Sequence, residues 1–509
     1  MDSNMKKIIR VLCGPTFIGL LMLVAFAVPV SAHTTVSPSK QLLPNSPLST
    51  GVLVAQGIHN GTIHLNGHAP APGIAPDLSC KPTPCALKDR QVSQGTQPNN
   101  ETPIVANPKN SKQLLTGAND YNCPNTQGFY SSGNGGKKWS LFCMQNLAGQ
   151  FGEGDPGVGY DLNGNSYITG IDSPNGSTGE IIFQKSSNNG GSWSAPAVAV
   201  PPLLSGGLTD KPWLQIDINA GSPHANALYI STTQFNSSDT ADEISVSHST
   251  DGGATWKTVA IDTVQSLPKL DQFSDLAIGK DGTVYVTWMR CLTSGSAGDC
   301  GGTKVNLLFS KSTDGGNTWS KAVTIASVQL VPDSCGCAYY GNLPNTNERV
   351  NDPAVVDIDN SSGANSGHLY TAFYNFTGSQ MQVEVSTSTN NGKKWSAPVR
   401  VTSAANDEFF PWLSVSSTGV VGTTWMDRRN DPSNINYEEF GVLSTNGSTF
   451  GTNFQLASKP SNPFNDGFGG AFIGDYTGNY WAGKTLYAVW TDTRNGIDQE
   501  FIGGIKNNA

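Results

Sequence analysis

Residues 249–256 read STDGGATW, and the pattern Ser-x-Asp/Asn-x-Gly-x-x-Trp recurs at 132–139, 186–193, 312–319 and 388–395. A shortened relative, STNGSTF, occupies 444–450. Five copies of an eight-residue pattern require a chain built from like units, because one repeated local solution implies one repeated environment. The run EIIFQKS leads into the box at 186 and SAPAVAV follows it, while EISVSHS and KTVAI flank the box at 249. Each box therefore reads as a hairpin turn. Asp or Asn binds turn amides, Gly takes positive φ, and Trp lays an apolar plate over the hairpin.

A larger unit surrounds each box. It opens on an acidic or Pro-containing strand start, such as DPGVGYD at 155, DKPWLQID at 210, FSDLAIG at 273, NDPAVVDID at 351 and EFFPWLSV at 408. A second strand follows (LYISTT, VYVTWM, LYTAFY), then the third strand, the box and a fourth strand. The box tryptophans at 139, 193, 256, 319 and 395 lie 54, 63, 63 and 76 residues apart. Four short strands per repeat of that length predict an all-β fold, a β-propeller of four-stranded blades. Counting second strands gives seven blades, or six if QLLTGAND does not belong to a true blade. The last unit ends after QEFIGGI, one strand short, so an N-terminal strand, for example GVLVAQG at 51–57, is expected to complete it.

The N-terminus carries Lys6, Lys7 and Arg10, an apolar run, and Val30-Ser31-Ala32. That order describes a secretory signal over residues 1–32, an uncleaved anchor being the alternative. Residues 33–99 hold nine prolines and read as an extension, and 100–509 as the propeller. An exported or cell-surface protein with no membrane span after cleavage is expected. Nine cysteines become eight without Cys13, an even number that suggests disulfides in an exported chain. Cys80/Cys85, Cys123/Cys143 and Cys291/Cys300 form near pairs, while Cys335 and Cys337 are expected to find partners elsewhere. No Cys-x-x-Cys spacing points to zinc, and no metal or other cofactor is expected. A net charge of -9 argues against nucleic acid as a partner. Oligomeric state is not legible.

The boxes resemble the Asp-box (BNR) repeats of the sialidase superfamily over roughly residues 100–505. The resemblance implies a propeller and an exo-acting glycosidase. It would hold a sialic acid carboxylate with three arginines, with a Tyr/Glu pair as nucleophile and base and an Asp as acid/base. One departure is plain: the Arg-Ile-Pro that such sialidases carry near the first blade is missing.

Loop position sorts the remaining candidates. In a four-stranded blade the inner strand starts on one face, here termed the front face, and the loop from second to third strand returns to it. Arg290, Arg349, Arg428, Arg429 and Arg494 fall in such loops, five of seven arginines after the signal. Guanidinium binds carboxylate in a two-pronged way, so a converging cluster would suit an anionic sugar. The competing reading pairs these arginines with Asp427, Asp431, Asp492 and Asp352 as ties between blades. Carboxylates gather at inner-strand starts: Asp155, Asp210, Asp352, Glu408 and Asp475. With Tyr437-Glu438 and Asp475-Tyr476 they offer the paired groups of glycoside hydrolysis. Trp213 and Trp412 are candidates to stack on a sugar ring, or to pack between blades. The Gly-x-x-x-x-Gly-Lys-Thr match at 478–485 precedes a strand rather than a helix, so it is not a phosphate loop. Two functions remain: a sialidase-like glycosidase acting on glycans with terminal anionic sugars, or a non-catalytic propeller that binds glycans or proteins.

Overall fold

Strands too short to bury their own faces stack here into seven antiparallel sheets, the seven expected blades. The structure is a computed structural model that describes residues 43–65, 67, 80–293, 299–351 and 353–508. The inner strands are Ile104–Asn107, Phe151–Tyr160, Thr209–Ile216, Lys269–Ile278, Val355–Ile358, Glu408–Val415 and Gly478–Ala482. Each touches the next in that order, and the last touches the first, so the ring is closed. The first blade is a true one, with Asn110–Asp120, Gln127–Ser132 and Ser140–Cys143 outside its inner strand. No helix of the described residues is long and apolar enough to cross a membrane.

An N-terminal strand does complete the last blade, but it is Cys85–Gln91 and not 51–57. It runs antiparallel to Gln499–Lys506, with Ala86 opposite Ile505 and Gln91 opposite Phe501. The apolar run at 51–57 instead lies in a helix, α1, Thr50–His59, whose N-terminus is capped by the Ser49 hydroxyl accepting from the Val52 amide. A short apolar run bounded by glycine does not tell strand from helix by period, and the cap decides it.

Every full box folds as expected. In the turn at 249–256 the Ser249 hydroxyl donates to Asp251 and accepts the Gly253 amide, while Asp251 accepts the Thr255 amide. The same three bonds recur at Ser312, Asp314 and Gly316, and at Ser388, Asn390 and Gly392. The tryptophans reach beyond their own hairpins: Trp193 stacks on Phe142, Trp256 meets Phe183 edge-on and Trp395 meets Phe309, each a ring of the preceding blade. The box is thus both a turn and an inter-blade contact.

Four disulfides join Cys80–Cys85, Cys123–Cys143, Cys291–Cys300 and Cys335–Cys337. The last corrects the expectation that Cys335 and Cys337 bond elsewhere. The turn at Gly336, with φ of 69°, folds the chain back on itself, and Asp333 accepts the amides of Cys335, Gly336 and Cys337 to hold it. The Cys123–Cys143 bond, at a separation of 20 residues, ties the turn after the second strand of the first blade to the end of its fourth. Replacing both cysteines by Ala should lower the unfolding free energy by about 3 kcal/mol, the loop-entropy value for that length. Urea unfolding at fixed pH measures it.

Candidate functional site

The inner strands carry a recurrent backbone break just where they reach the front face. Register shifts occur between Asp210 and Trp213, between Gln272 and Asp275, and between Phe409 and Trp412, with two more between Gly152 and Gly157. At these breaks Asp155, Lys211, Phe273 and Phe410 adopt φ of 46–59°, as Glu101 does in the first blade. Left-handed backbone costs about 1–2 kcal/mol per non-glycine residue, so five such residues in register need a common compensation. That compensation is a bulge in successive blades that turns side chains toward the axis.

Glu101, Asp155, Asp210, Lys211, Gln272 and Asp475 meet there, all buried. Asp475 donates its amide to Glu101 Oε1 at 3.2 Å, and Gln272 Nε2 donates to Asp210 Oδ2 at 2.8 Å. Glu101 and Asp155 are neighbours in this cluster, and the charge of Asp155 opposes ionisation of Glu101. Burial pushes Asp155 up to about 8, with the Asp210 charge adding to the rise. Burial likewise holds Glu101 well above the usual carboxylate range, the Asp155 and Asp475 charges contributing next. Lys211 is lowered by burial, against the pull of Asp155 and Glu101. Its ammonium sits 3.5 Å from the centre of the Tyr476 ring, and Tyr476 packs edge-on to Trp213, which lies 4.4 Å from Trp412. Trp213 and Trp412 line a narrow axial channel beyond the carboxyls. On the box face, a cavity of about 600 Å³ opens between Asn107, Gln215, Asn360 and Trp481.

The front of the ring is occupied by α1. Ser49 donates its amide to Asp210 Oδ2 at 2.8 Å and its hydroxyl to Asp155 Oδ1 at 3.3 Å. Thr50 donates its amide to one oxygen of Asp475 and its hydroxyl to the other, both at 2.6 Å. The helix N-terminus carries partial positive charge, so these carboxylates are where such an end is stabilised.

Of the sequence candidates, Asp155, Asp475, Tyr476, Trp213 and Trp412 come together at the axis. Asp352 lies outside the described residues. Tyr437 and Glu438 do not reach the axis. The Tyr437 hydroxyl donates to the Thr491 carbonyl at 3.1 Å, and Glu438 accepts from Asn430 and Gln455. Among the described residues the five arginines do not converge either, and no two of them share a hydrogen-bond partner. Arg290 pairs with Asp262 and Asp271, and Arg429 with Asp427 and Asn453. Arg494 pairs with Asp492 and with Asp89 of the closing strand. Arg428 is buried, bonded to the Pro344 and Asn434 carbonyls. Arg349 holds the carbonyls of Ser46 and Leu48. The expected Arg429–Asp427 and Arg494–Asp492 pairs form within their own blades, while Arg290 joins Asp271 of its own blade to Asp262 at the end of the preceding one.

Sequence reasoning missed Glu101, Lys211, Ser49 and Thr50. Glu101-Thr102-Pro103 repeats the acid-before-proline strand start of Asp155-Pro156 and Asp210-Lys211-Pro212, a signal that identifies it once the first blade is accepted. Nothing local marks Ser49 and Thr50, because their role depends on where the chain ends up.

No protein-family model matches the chain, and no curated protein does. Solved structures do. The intramolecular trans-sialidase of Ruminococcus gnavus aligns at 11% identity over 64% of this chain and 89% of its own, with a TM-score of 0.43. An α-L-arabinofuranosidase of Fusarium graminearum aligns at 13% identity over 69% and 92%, also at 0.43. The α-L-arabinanase of Penicillium chrysogenum aligns at 13% identity over the same shares, at 0.44. What this chain does has to follow from its own residues.

Two measurements check the site. Acids that bind a proton more tightly folded than unfolded favour the fold at low pH. That advantage is lost as pH rises from the ordinary carboxylate range toward about 8 for Asp155. Asp155→Asn removes one such group, so its melting temperature should fall less than the wild type's between about pH 5 and 8. Parallel curves would show that Asp155 is ionised throughout. Arg494→Ala strips the partner from buried Asp492 and should cost about 3 kcal/mol in denaturant unfolding. Arg494→Lys should recover only part of it, having lost the planar fork.

Proposed function

We propose that the chain is an exported propeller glycoside hydrolase whose chemistry is carried by the axial carboxyls. The observation behind this reading is the buried group of Glu101, Asp155, Asp210 and Asp475 on the face where the inner strands begin, in which burial favours protons on Glu101 and Asp155. Glycoside hydrolysis needs one carboxyl that keeps a proton near neutral pH and another that is ionised. Glu101, held protonated by burial, is the proton donor to the leaving oxygen. Asp475, which takes two donors from α1, is the group that would accept a proton from water. Trp213 and Tyr476 supply aromatic surface close by. The basic N-terminal run, its small-residue site and the four disulfides support export.

A terminal sialic acid is the finer expectation from sequence, and the site favours a sugar without a carboxylate. Four carboxyls face a single lysine at the axis, Arg290, Arg428, Arg429 and Arg494 are engaged elsewhere, and Arg349 holds carbonyls of the segment that leads into α1. A second reading, a non-catalytic binding propeller, is favoured by the complete burial of the ring under α1.

Hydrolysis of chromogenic neutral glycosides and sialosides, at high protein concentration and long incubation, separates these readings. Slow release from at least one neutral glycoside is expected, falling about 100-fold in Glu101→Gln, the usual contribution of a general acid. Release from sialosides would restore the anionic substrate. No release by the wild type or by a form with α1 displaced would leave the binding propeller.

A further inference from the structure

The segment that closes the front of the ring is bound the way a ligand is bound. Its backbone carbonyls are held by side chains of distant blades: Pro47 O by the Tyr340 hydroxyl at 2.7 Å and by Gln272, Ser46 O and Leu48 O by Arg349. Its donors then meet the carboxyls one by one. Two adjacent donors of Thr50 reach the two oxygens of Asp475, the pattern that neighbouring hydroxyls of a sugar make with one carboxylate. Ser49 adds a third and a fourth donor, to Asp210 and Asp155.

We propose that residues 46–59 are a self-occluding segment of the axial site, in which Ser49 and Thr50 stand where hydroxyls of an uncharged, diol-bearing sugar bind. The proposal rests on the reading of the front-face ring as a glycan site. Two further observations carry it. Glu101 Oε2 and Asp155 Oδ2 are buried and receive no N–H or O–H donor from the segment, so α1 does not complete the ring it covers. Buried polar atoms of a finished core are satisfied, and a site shaped for another occupant leaves such atoms over. Secondly, glycine at residue 51 lets α1 sit close against the ring. A Cβ there would stand 2.7 Å from Asp155 Oδ1, 2.8 Å from Asn119 Nδ2 and 3.2 Å from Glu101 Oε2. A ten-residue helix is marginal alone, so its order depends on these contacts and on the apolar seat of Val52, Leu53 and Val54. The same carboxyls that welcome hydroxyl and amide donors repel an anion.

The test uses the full chain. Gly51→Asp places a carboxylate against Asp155 and should displace α1 while leaving the blades intact. Hydrogen exchange of the amides of residues 52–58 should accelerate at least about tenfold, with blade amides unchanged, as expected when hydrogen bonds of this kind are lost. Binding to an array of immobilised neutral and sialylated glycans should rise at least about tenfold for neutral glycans, because the competent fraction rises. Faster exchange without gained binding, or gain on sialylated glycans alone, would overturn the proposal. If Gly51→Asp fails to fold, Thr50→Val serves instead, removing only the hydroxyl that Asp475 accepts. A smaller shift in both readouts in the same directions is expected, and no shift would overturn it. Gained glycan binding with no hydrolysis of any glycoside would keep the occlusion and remove the hydrolase.

Discussion

Everything in this propeller depends on one antiparallel pairing, that of Cys85–Gln91 with Gln499–Lys506. A ring of blades is held by contacts between neighbours, and an open ring would leave one sheet a strand short with an unpaired edge. Joining the two chain ends inside one sheet makes the last blade whole. Arg494 reinforces the seam, bridging Asp492 at the end of the second strand to Asp89 of the closing strand. With the ring closed, the inner strands are forced around a common axis, and their bulges aim the same positions of several blades at each other. The acidic cluster is a product of closure.

Such a cluster would be costly if fully ionised, since like charges in a buried ring repel strongly. Three devices relieve the cost. Burial and neighbouring charge favour protons on Glu101 and Asp155, Lys211 enters the ring as a counter-charge, and the positive end of α1 lies against Asp210 and Asp475. The first two belong to the blades. The third comes from upstream of the closing strand and is the separable one, which is why occlusion and chemistry can be tested apart.

The arginines show how loop placement misleads. Their position on the front face is right, but Arg290, Arg429 and Arg494 each meet a carboxylate within their own blade or seam before any ligand does. In Asp427-Arg428-Arg429 and Asp492-Thr493-Arg494, the residue two after the aspartate folds back onto it, leaving the axis to the acids.

The sequence by itself determined the blade. The eight-residue box, the strand alternation and the spacing of the tryptophans act within one repeat, where local hydrogen bonds and period decide the outcome. It also marked the acidic strand starts, and with them Asp155 and Asp475. Only the tertiary structure decided which strand closes the ring, because any short apolar run upstream would serve by composition, and capping by Ser49 makes 50–59 a helix. Likewise, only the closed ring brings Glu101 of the first blade to Asp475 of the last, and Ser49 and Thr50 to both sides of the axis. Contacts between residues some 374 or 425 positions apart have no signature in a local pattern, since they exist only when the ends meet.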